Sequence, residues 1–164
     1  MKEGWPTPVH CTPMKVLLQR CLEGSVTVNG VVVGAVGRGL VALVGTTHGD
    51  DESVARRLAE RVAGYRLFPD DEGRTNLSVR DVKGQVLVVP QFTLYANTRK
   101  GTRPSFMRAG PPDEAKALLH IFRESLEKHG VDTESGVFGA DMKVALINDG
   151  PFTVELELLT SPPT

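Results

Sequence analysis

The chain has 164 residues, 19 Lys plus Arg against 20 Asp plus Glu, and a formal net charge of −1 at pH 7. At 40% hydrophobic and 24% charged residues, it has the composition of one globular domain able to build a core. No apolar run approaches the roughly 20 residues of a membrane-spanning helix, and near-neutrality argues against a nucleic-acid binder that is basic all over.

The first 13 residues, MKEGWPTPVHCTP, hold the only Trp, one of the two cysteines (Cys11) and three of the eleven prolines. They show neither an apolar period nor the basic-then-apolar order of a signal peptide. The expectation is a disordered N-terminal extension over 1–13, with Met14 as the natural start. One domain over 14–158 then follows, with a C-terminal tail over 159–164. Two cysteines, one in the extension, make neither a disulfide framework nor a metal site, so no metal and no cofactor are expected. Without an export signal, a reducing cytoplasm is the expected compartment.

Lys15–Cys21 and Ser25–Val28 read as strands. Asn29-Gly30 between SVTV and VVVGAV signals a hairpin, because both residues tolerate the positive φ of a type I′ turn. Leu40–Val44 is a continuous apolar run of strand length, the pattern of a strand buried on both faces. Acidic residues at 50–52 precede an amphipathic helix over 51–64, whose apolar stripe is Val54, Ala55, Leu58, Ala59 and Val62. Val86–Val89 is a second buried strand. A second helix opens after Pro111-Pro112, buries Ala115, Leu118, Leu119, Phe122 and Leu126, and stops at Gly130. From Thr133 to Leu158 the chain reads as strands, with Phe152, Val154, Leu156 and Leu158 alternating against Thr153, Glu155 and Glu157. Strand clusters interrupted by two helices predict an α+β fold.

Motifs for familiar chemistry are missing: there is no GxSxG, HExxH or CxxC. The glycines of GAVGRG (Gly34, Gly37, Gly39) precede a strand, not a helix, so they read as a strand-connecting turn. His48 follows a buried strand and reads as a helix-entry residue before it reads as a catalytic one. Catalysis by this chain would therefore rest on main-chain groups and on the substrate.

Two segments carry information. From Val82 to Pro112 there are five basic residues and no acidic one, which leaves −6 for the rest of the chain. Arg99, Lys100 and Arg103 fall there, beyond the strand end at Pro90 and the sequence Gln91-Phe92-Thr93, as a candidate contact to a phosphate backbone. The other segment is NDGPFT (148–153), where Pro151 lacks the N–H that the strand ladder needs. Its Gly-Pro bond is a candidate for cis, although trans bonds are far commoner.

These segments, with LLQRC (17–21), SVTVNG (25–30), GLVALVGTTHGD (39–50), NLSVRDV (76–82), QFTLYANTRKGTRPSF (91–106) and GVFGADM (136–142), resemble the D-aminoacyl-tRNA deacylase family. The likeness runs over nearly all of Met14–Glu157. It implies a compact β-barrel-like sheet core with two helices, a homodimer, and hydrolysis of the ester joining a D-amino acid to the terminal adenosine of tRNA. It further implies that Gln91, Phe92 and Thr93 line the pocket for the aminoacyl group. Gly150-Pro151 would be cis and enter the partner subunit's pocket to exclude L side chains. Arg20 would hold that motif, and Phe138 and Met142 would help form the adenosine pocket. Thr93 has no identifiable base beside it, so a binding or structural role is expected for it rather than that of nucleophile.

One departure is Pro90, where the family usually has Ser. A sister branch in animals carries Pro there with a trans Gly-Pro bond and tolerates some L-aminoacyl-tRNA. Phe152 and Cys21 lean the same way, whereas Arg20 and TRKGTRPSF are of the main type. The expectation is a cis bond and selectivity for D-aminoacyl and glycyl esters. A rival reading is a non-catalytic nucleic-acid-binding module using the basic 82–112 segment. A weaker one is a hydrolase of free D-amino-acid esters.

Overall fold

The computed structural model describes residues 13–156 and 158. The expected extension, apart from Pro13, and the expected tail lie outside the described residues. Eight strands and two α-helices follow one another as β1 (Lys15–Val28), β2 (Val31–Val36), β3 (Gly39–Gly45), α1 (Glu52–Gly64), β4 (Phe68–Pro69), β5 (Thr75–Leu77), β6 (Gln85–Pro90), α2 (Pro112–Lys128), β7 (Asp132–Ser135) and β8 (Lys143–Leu156). A 3₁₀ turn, Phe92–Tyr95, follows β6.

The two strands expected at the start are one. β1 runs unbroken for 14 residues and pairs along its first half with β3, along its second half with β2, and with β8 on its other edge. The polar interval Glu23–Ser25 stays in the strand because β8 and β2 pair with it, while Leu22 is a bulge in the β1–β8 ladder. The Asn29-Gly30 hairpin is present, with φ of 49° and 77° at its two residues.

The main sheet runs β2-β1-β3-β6-β7, with β8 paired to β1. β3, β6 and β7 are mutually parallel. The helices therefore serve as crossovers, α1 between β3 and β6 and α2 between β6 and β7, beside an antiparallel β1, β2 and β8. The sheet curls until β2 approaches β7, making a nearly closed barrel. Gly34 sits at that closure, inside β2, where an added Cβ would lie 2.8 Å from the Ser135 carbonyl oxygen. Of the three glycines in GAVGRG, only Gly37 is in the turn, while Gly39 opens β3. What looked like one glycine loop is thus a close strand approach, a turn and a strand start.

Two apolar clusters follow from the alternation of side chains. Val41, Leu87 and Val89 point into the barrel with Cys21, Val26 and Val36. Leu40, Ala42, Val44, Val86 and Val88 point outward, under Leu58, Ala59 and Val62 of α1 and Leu118, Phe122 and Leu126 of α2. This explains the unbroken apolar runs of β3 and β6: each is covered on both faces. Asp51 caps α1 by accepting the Val54 N–H at 3.0 Å. The side-chain bonds from Ser53 and the Val54 amide hold its carboxyl below the usual range. The chain turns out of α2 at Gly130, whose φ is +81°. The short β4–β5 hairpin shows no period that sequence reading can detect.

Phe122 has no exposed surface and lies at the centre of the helix–sheet cluster. Phe122→Ala should cost about 3–5 kcal/mol of folding free energy, read as a lowered urea midpoint at unchanged slope.

Candidate active site

A cavity of about 730 Å³ opens at the carboxyl ends of the parallel strands β3 and β6. Its walls come from Val44, Gly45 and Thr46 at the end of β3, from Val89 to Phe92 at the end of β6, and from Phe106, Met107 and residues 109–112 leading into α2. The 138–142 loop closes the far side. Ligands favour this end of parallel strands because the crossovers leave it open while backbone groups converge there.

Backbone and side-chain bonds hold these walls together. The Gln91 N–H donates to the Val44 carbonyl at 2.8 Å, which carries the β3–β6 pairing one step beyond the strand. The Gly110 N–H donates to the Thr46 carbonyl at 2.9 Å, and the Thr47 hydroxyl donates to the Arg108 carbonyl at 2.5 Å. The Asp50 carboxylate accepts the Thr47 N–H at 2.7 Å and the Met14 N–H at 3.1 Å. Its burial outweighs those bonds and raises its pKa above the ordinary carboxylate value. His48 also lines the cavity, its Nε2 2.9 Å from the Met107 carbonyl oxygen. That bond makes Nε2 the protonated nitrogen and ties the ring to the 106–112 wall.

Four of the five residues that the resemblance assigns to the pocket line this one cavity: Gln91, Phe92, Phe138 and Met142. The fifth, Thr93, is exposed on the adjoining 3₁₀ turn, where its hydroxyl accepts a hydrogen bond from the side-chain Nε2 of Gln91. Pro90 is in the wall. Phe92 meets Phe106 edge to face, with ring centres 5.1 Å apart, and both are exposed at the rim. Sequence reading passed over Phe106, Gly110 and Thr46. They are distant in the chain and are brought together by the Thr47–Ala109 bridge and the hydrogen bonds around it.

The basic residues form a separate feature. Asn97 and Ser105 pair through two backbone bonds, of 2.7 and 3.0 Å, and close a loop. Arg99, Lys100 and Arg103 stand on it, all exposed and in no ion pair among the described residues. Arg108, by contrast, turns inward and donates to the Ala96 carbonyl at 3.2 Å.

Gly150 and Pro151 do not line this cavity. β8 pairs with β1 at Thr153–Gln19 and again at Asn148–Cys21, so 149–152 bulge out opposite the single residue Arg20. The Gly150-Pro151 bond at the tip is cis, as the resemblance implies, and both residues are exposed. Gly150 has φ +154°, and a Cβ there would stand 2.5 Å from the Phe152 nitrogen, so no other residue fits. Arg20 braces the loop. Its Nε donates to the Asp149 carbonyl at 3.0 Å and lies 3.3 Å from the Asp149 carboxylate. Its Nη1 donates to the Leu67 carbonyl at 2.8 Å, and its guanidinium covers the Phe152 ring at 4.4 Å.

The buried Cys21 thiol is no nucleophile: burial pushes its pKa up to about 11. Among the described residues, no three His, Cys, Asp or Glu side chains gather as a metal site. The cavity thus offers apolar walls, backbone groups and a carboxamide, suited to positioning a substrate that is already reactive.

The fold and this cavity define a class, and comparison with known proteins identifies it. The model of the family described as D-Tyr-tRNA(Tyr) deacylase matches residues 17–157, and the chain belongs to that family. A D-aminoacyl-tRNA deacylase of Thermomicrobium roseum is 55% identical over 144 residues, covering 88% of this chain and 94% of that protein. One from Alkalilimnicola ehrlichii is 56% identical over 141 residues, covering 86% and 94%. Among solved structures, one described as a c-Myc DNA unwinding element binding protein superposes with a TM-score of 0.82 at 35% identity, covering 89% of this chain and 99% of its own. A probable eukaryotic D-amino acid tRNA deacylase shares the fold, with a TM-score of 0.76 at 21% identity over 88% and 99% of the two chains.

At Gly45, an added Cβ would lie 2.8 Å from the Gln91 carbonyl oxygen and 3.3 Å from Leu94 and Tyr95. Gly45→Ala should therefore displace the Gln91-Phe92 wall. We expect a fall in kcat/KM of about a hundredfold, measured as deacylation of D-Tyr-tRNA.

Proposed function

We propose that the chain hydrolyses the ester of D-aminoacyl-tRNA, releasing free tRNA and the D-amino acid. The observation that carries this reading is that Gln91 and Phe92 line one cavity with Phe138 and Met142, from a segment remote in the sequence, in a chain of this family. A water oxygen attacks the ester carbonyl carbon, the bond to the ribose 3′-oxygen breaks, and that oxygen takes a proton as it leaves. The vicinal 2′-OH of the ribose assists the water. The N–H groups of Phe92 and Thr93 start a helical turn and so have no partner within it, which suits them to steady the negative charge on the carbonyl oxygen. An aminoacyl ester is already activated, so positioning and such donors suffice without a histidine base.

The same reading makes the protein a homodimer in which the Gly150-Pro151 tip of one protomer enters the cavity of its partner. The tip is exposed and lies outside its own cavity, which supports this arrangement. So do the apolar residues exposed on the adjacent strands β1, β2 and β8, namely Leu22, Val31, Val32, Val144 and Ile147. Backbone carbonyls of the tip occupy the space of an L side chain. Glycine has no side chain to exclude, so glycyl-tRNA, including tRNA(Ala) mischarged with glycine, is also cleaved. Arg99, Lys100 and Arg103 contact the tRNA backbone, and one basic edge suffices for a protein that grips a tRNA end. No helix among the described residues is long and apolar enough to cross a membrane. Action on tRNA points to the cytoplasm.

Deacylation of matched D-Tyr-, L-Tyr- and Gly-tRNA tests this directly. We expect the D and glycyl esters to be cleaved and the L ester to persist. Glycyl-tRNA left intact at an enzyme concentration that clears D-Tyr-tRNA would refute steric exclusion. Binding of tRNA without hydrolysis of any ester would leave the non-catalytic module, and equal cleavage of free D-Tyr methyl ester would leave the simple esterase. Replacing Arg99, Lys100 and Arg103 together with Ala should weaken tRNA binding and flatten the slope of log Kd against log salt by about two to three.

A further inference from the structure

β8 places four residues, 149–152, opposite one residue of β1. A loop of that size in mid-strand removes backbone groups from the ladder, and something has to take their place. Arg20 braces the outer side, between the Asp149 and Leu67 carbonyls. The neck of the loop, where it leaves and rejoins the ladder, is closed by a different side chain. The Asn148 Nδ2 donates one hydrogen to the Arg20 carbonyl at 3.0 Å and the other to the Phe152 carbonyl at 2.9 Å. Its Oδ1 accepts the Phe152 N–H at 2.9 Å. The reversed amide would set Oδ1 against two carbonyl oxygens, so this network fixes the orientation.

We infer that Asn148 is a positioning residue for chiral selection. Its carboxamide joins both ends of the 148–152 loop to each other and to β1, and so sets where the Gly150-Pro151 carbonyls stand. The inference rests on the filter reading above. The site needs two donors and one acceptor on a short side chain, which Asn alone supplies. Asp retains the shape and the acceptor but turns a carboxylate oxygen toward the Arg20 and Phe152 carbonyls. Exclusion of an L side chain depends on van der Waals contact, so a tip released at its neck yields space to L. A D substrate makes no demand on that space. Arg20 cannot compensate, because its bonds reach Asp149 and Leu67 and leave the Phe152 backbone untouched.

The test compares single-turnover deacylation of D-Tyr-tRNA and L-Tyr-tRNA by the full chain and its Asn148→Ala, Asn148→Asp and Pro151→Ala variants. The ratio of the two rates is read because partial unfolding lowers both equally and leaves it unchanged. For both Asn148 variants we expect D-Tyr-tRNA cleavage within about threefold of the parent and L-Tyr-tRNA cleavage raised about tenfold or more. If Pro151→Ala relaxes the ratio while both Asn148 variants keep it, the clamp is overturned and the filter stands. An unchanged ratio in Pro151→Ala means that the filter reading fails, and the role of Asn148 fails with it. A loss of both rates in proportion to lost thermal stability would make Asn148 merely structural and overturn the inference.

Discussion

Each backbone N–H and C=O of β1 needs a partner, and three strands supply them. This one constraint organises the molecule. On one edge of β1 the first half bonds to β3, which begins the parallel β3–β6–β7 run and so demands helical crossovers. The second half bonds to β2, whose far side closes on β7. On the other edge, β8 follows β1 for nearly its whole length, slipping by one residue at Leu22 and leaving the ladder as a loop opposite Arg20. Barrel closure, helix placement and the projecting Gly-Pro tip all depend on the partners of a single strand.

The cavity and the tip use the backbone in opposite ways. Beyond the ends of β3 and β6 the two strands part after the Gln91–Val44 bond, and the segments that follow wall an apolar space. At 149–152 the chain also leaves its ladder, but Arg20 and Asn148 take up the freed groups and hold the loop in one shape. One region leaves room for a substrate, while the other is a rigid object without a counterpart in its own chain. The proposed dimer rests on this pairing of a cavity on one surface with a projection elsewhere.

The charge distribution follows the same division. Near-neutrality of the whole conceals a basic stretch in which Arg99, Lys100 and Arg103 stand exposed on one loop, while acidic residues such as Asp51 and Glu52 serve the helix start elsewhere. The proposed tRNA contact rests on this one basic edge.

Much of this was legible in the residues. The apolar runs of β3 and β6, the helical stripes ending in Phe122 and Leu126, the Asn29-Gly30 turn and the alternation of β8 are local patterns, because burial on one or two faces repeats at the period of the element. Gly150-Pro151 stood out as a break in a strand ladder, whereas the pocket role of Gln91-Phe92-Thr93 came from the family resemblance alone. The continuity of β1, the role of Gly34 and the clamp of Asn148 are set by contacts between segments up to 128 residues apart, and no local pattern encodes such contacts. Phe106, Gly110 and Thr46 are ordinary until a backbone bridge brings them to one wall. Composition and period determined which segments are strands, helices and core, since these follow from each residue's own burial and backbone preference. Only the tertiary structure decided which strand ends open into a cavity and which carboxamide holds the tip, because hydrogen-bond partners are chosen in space and not along the chain.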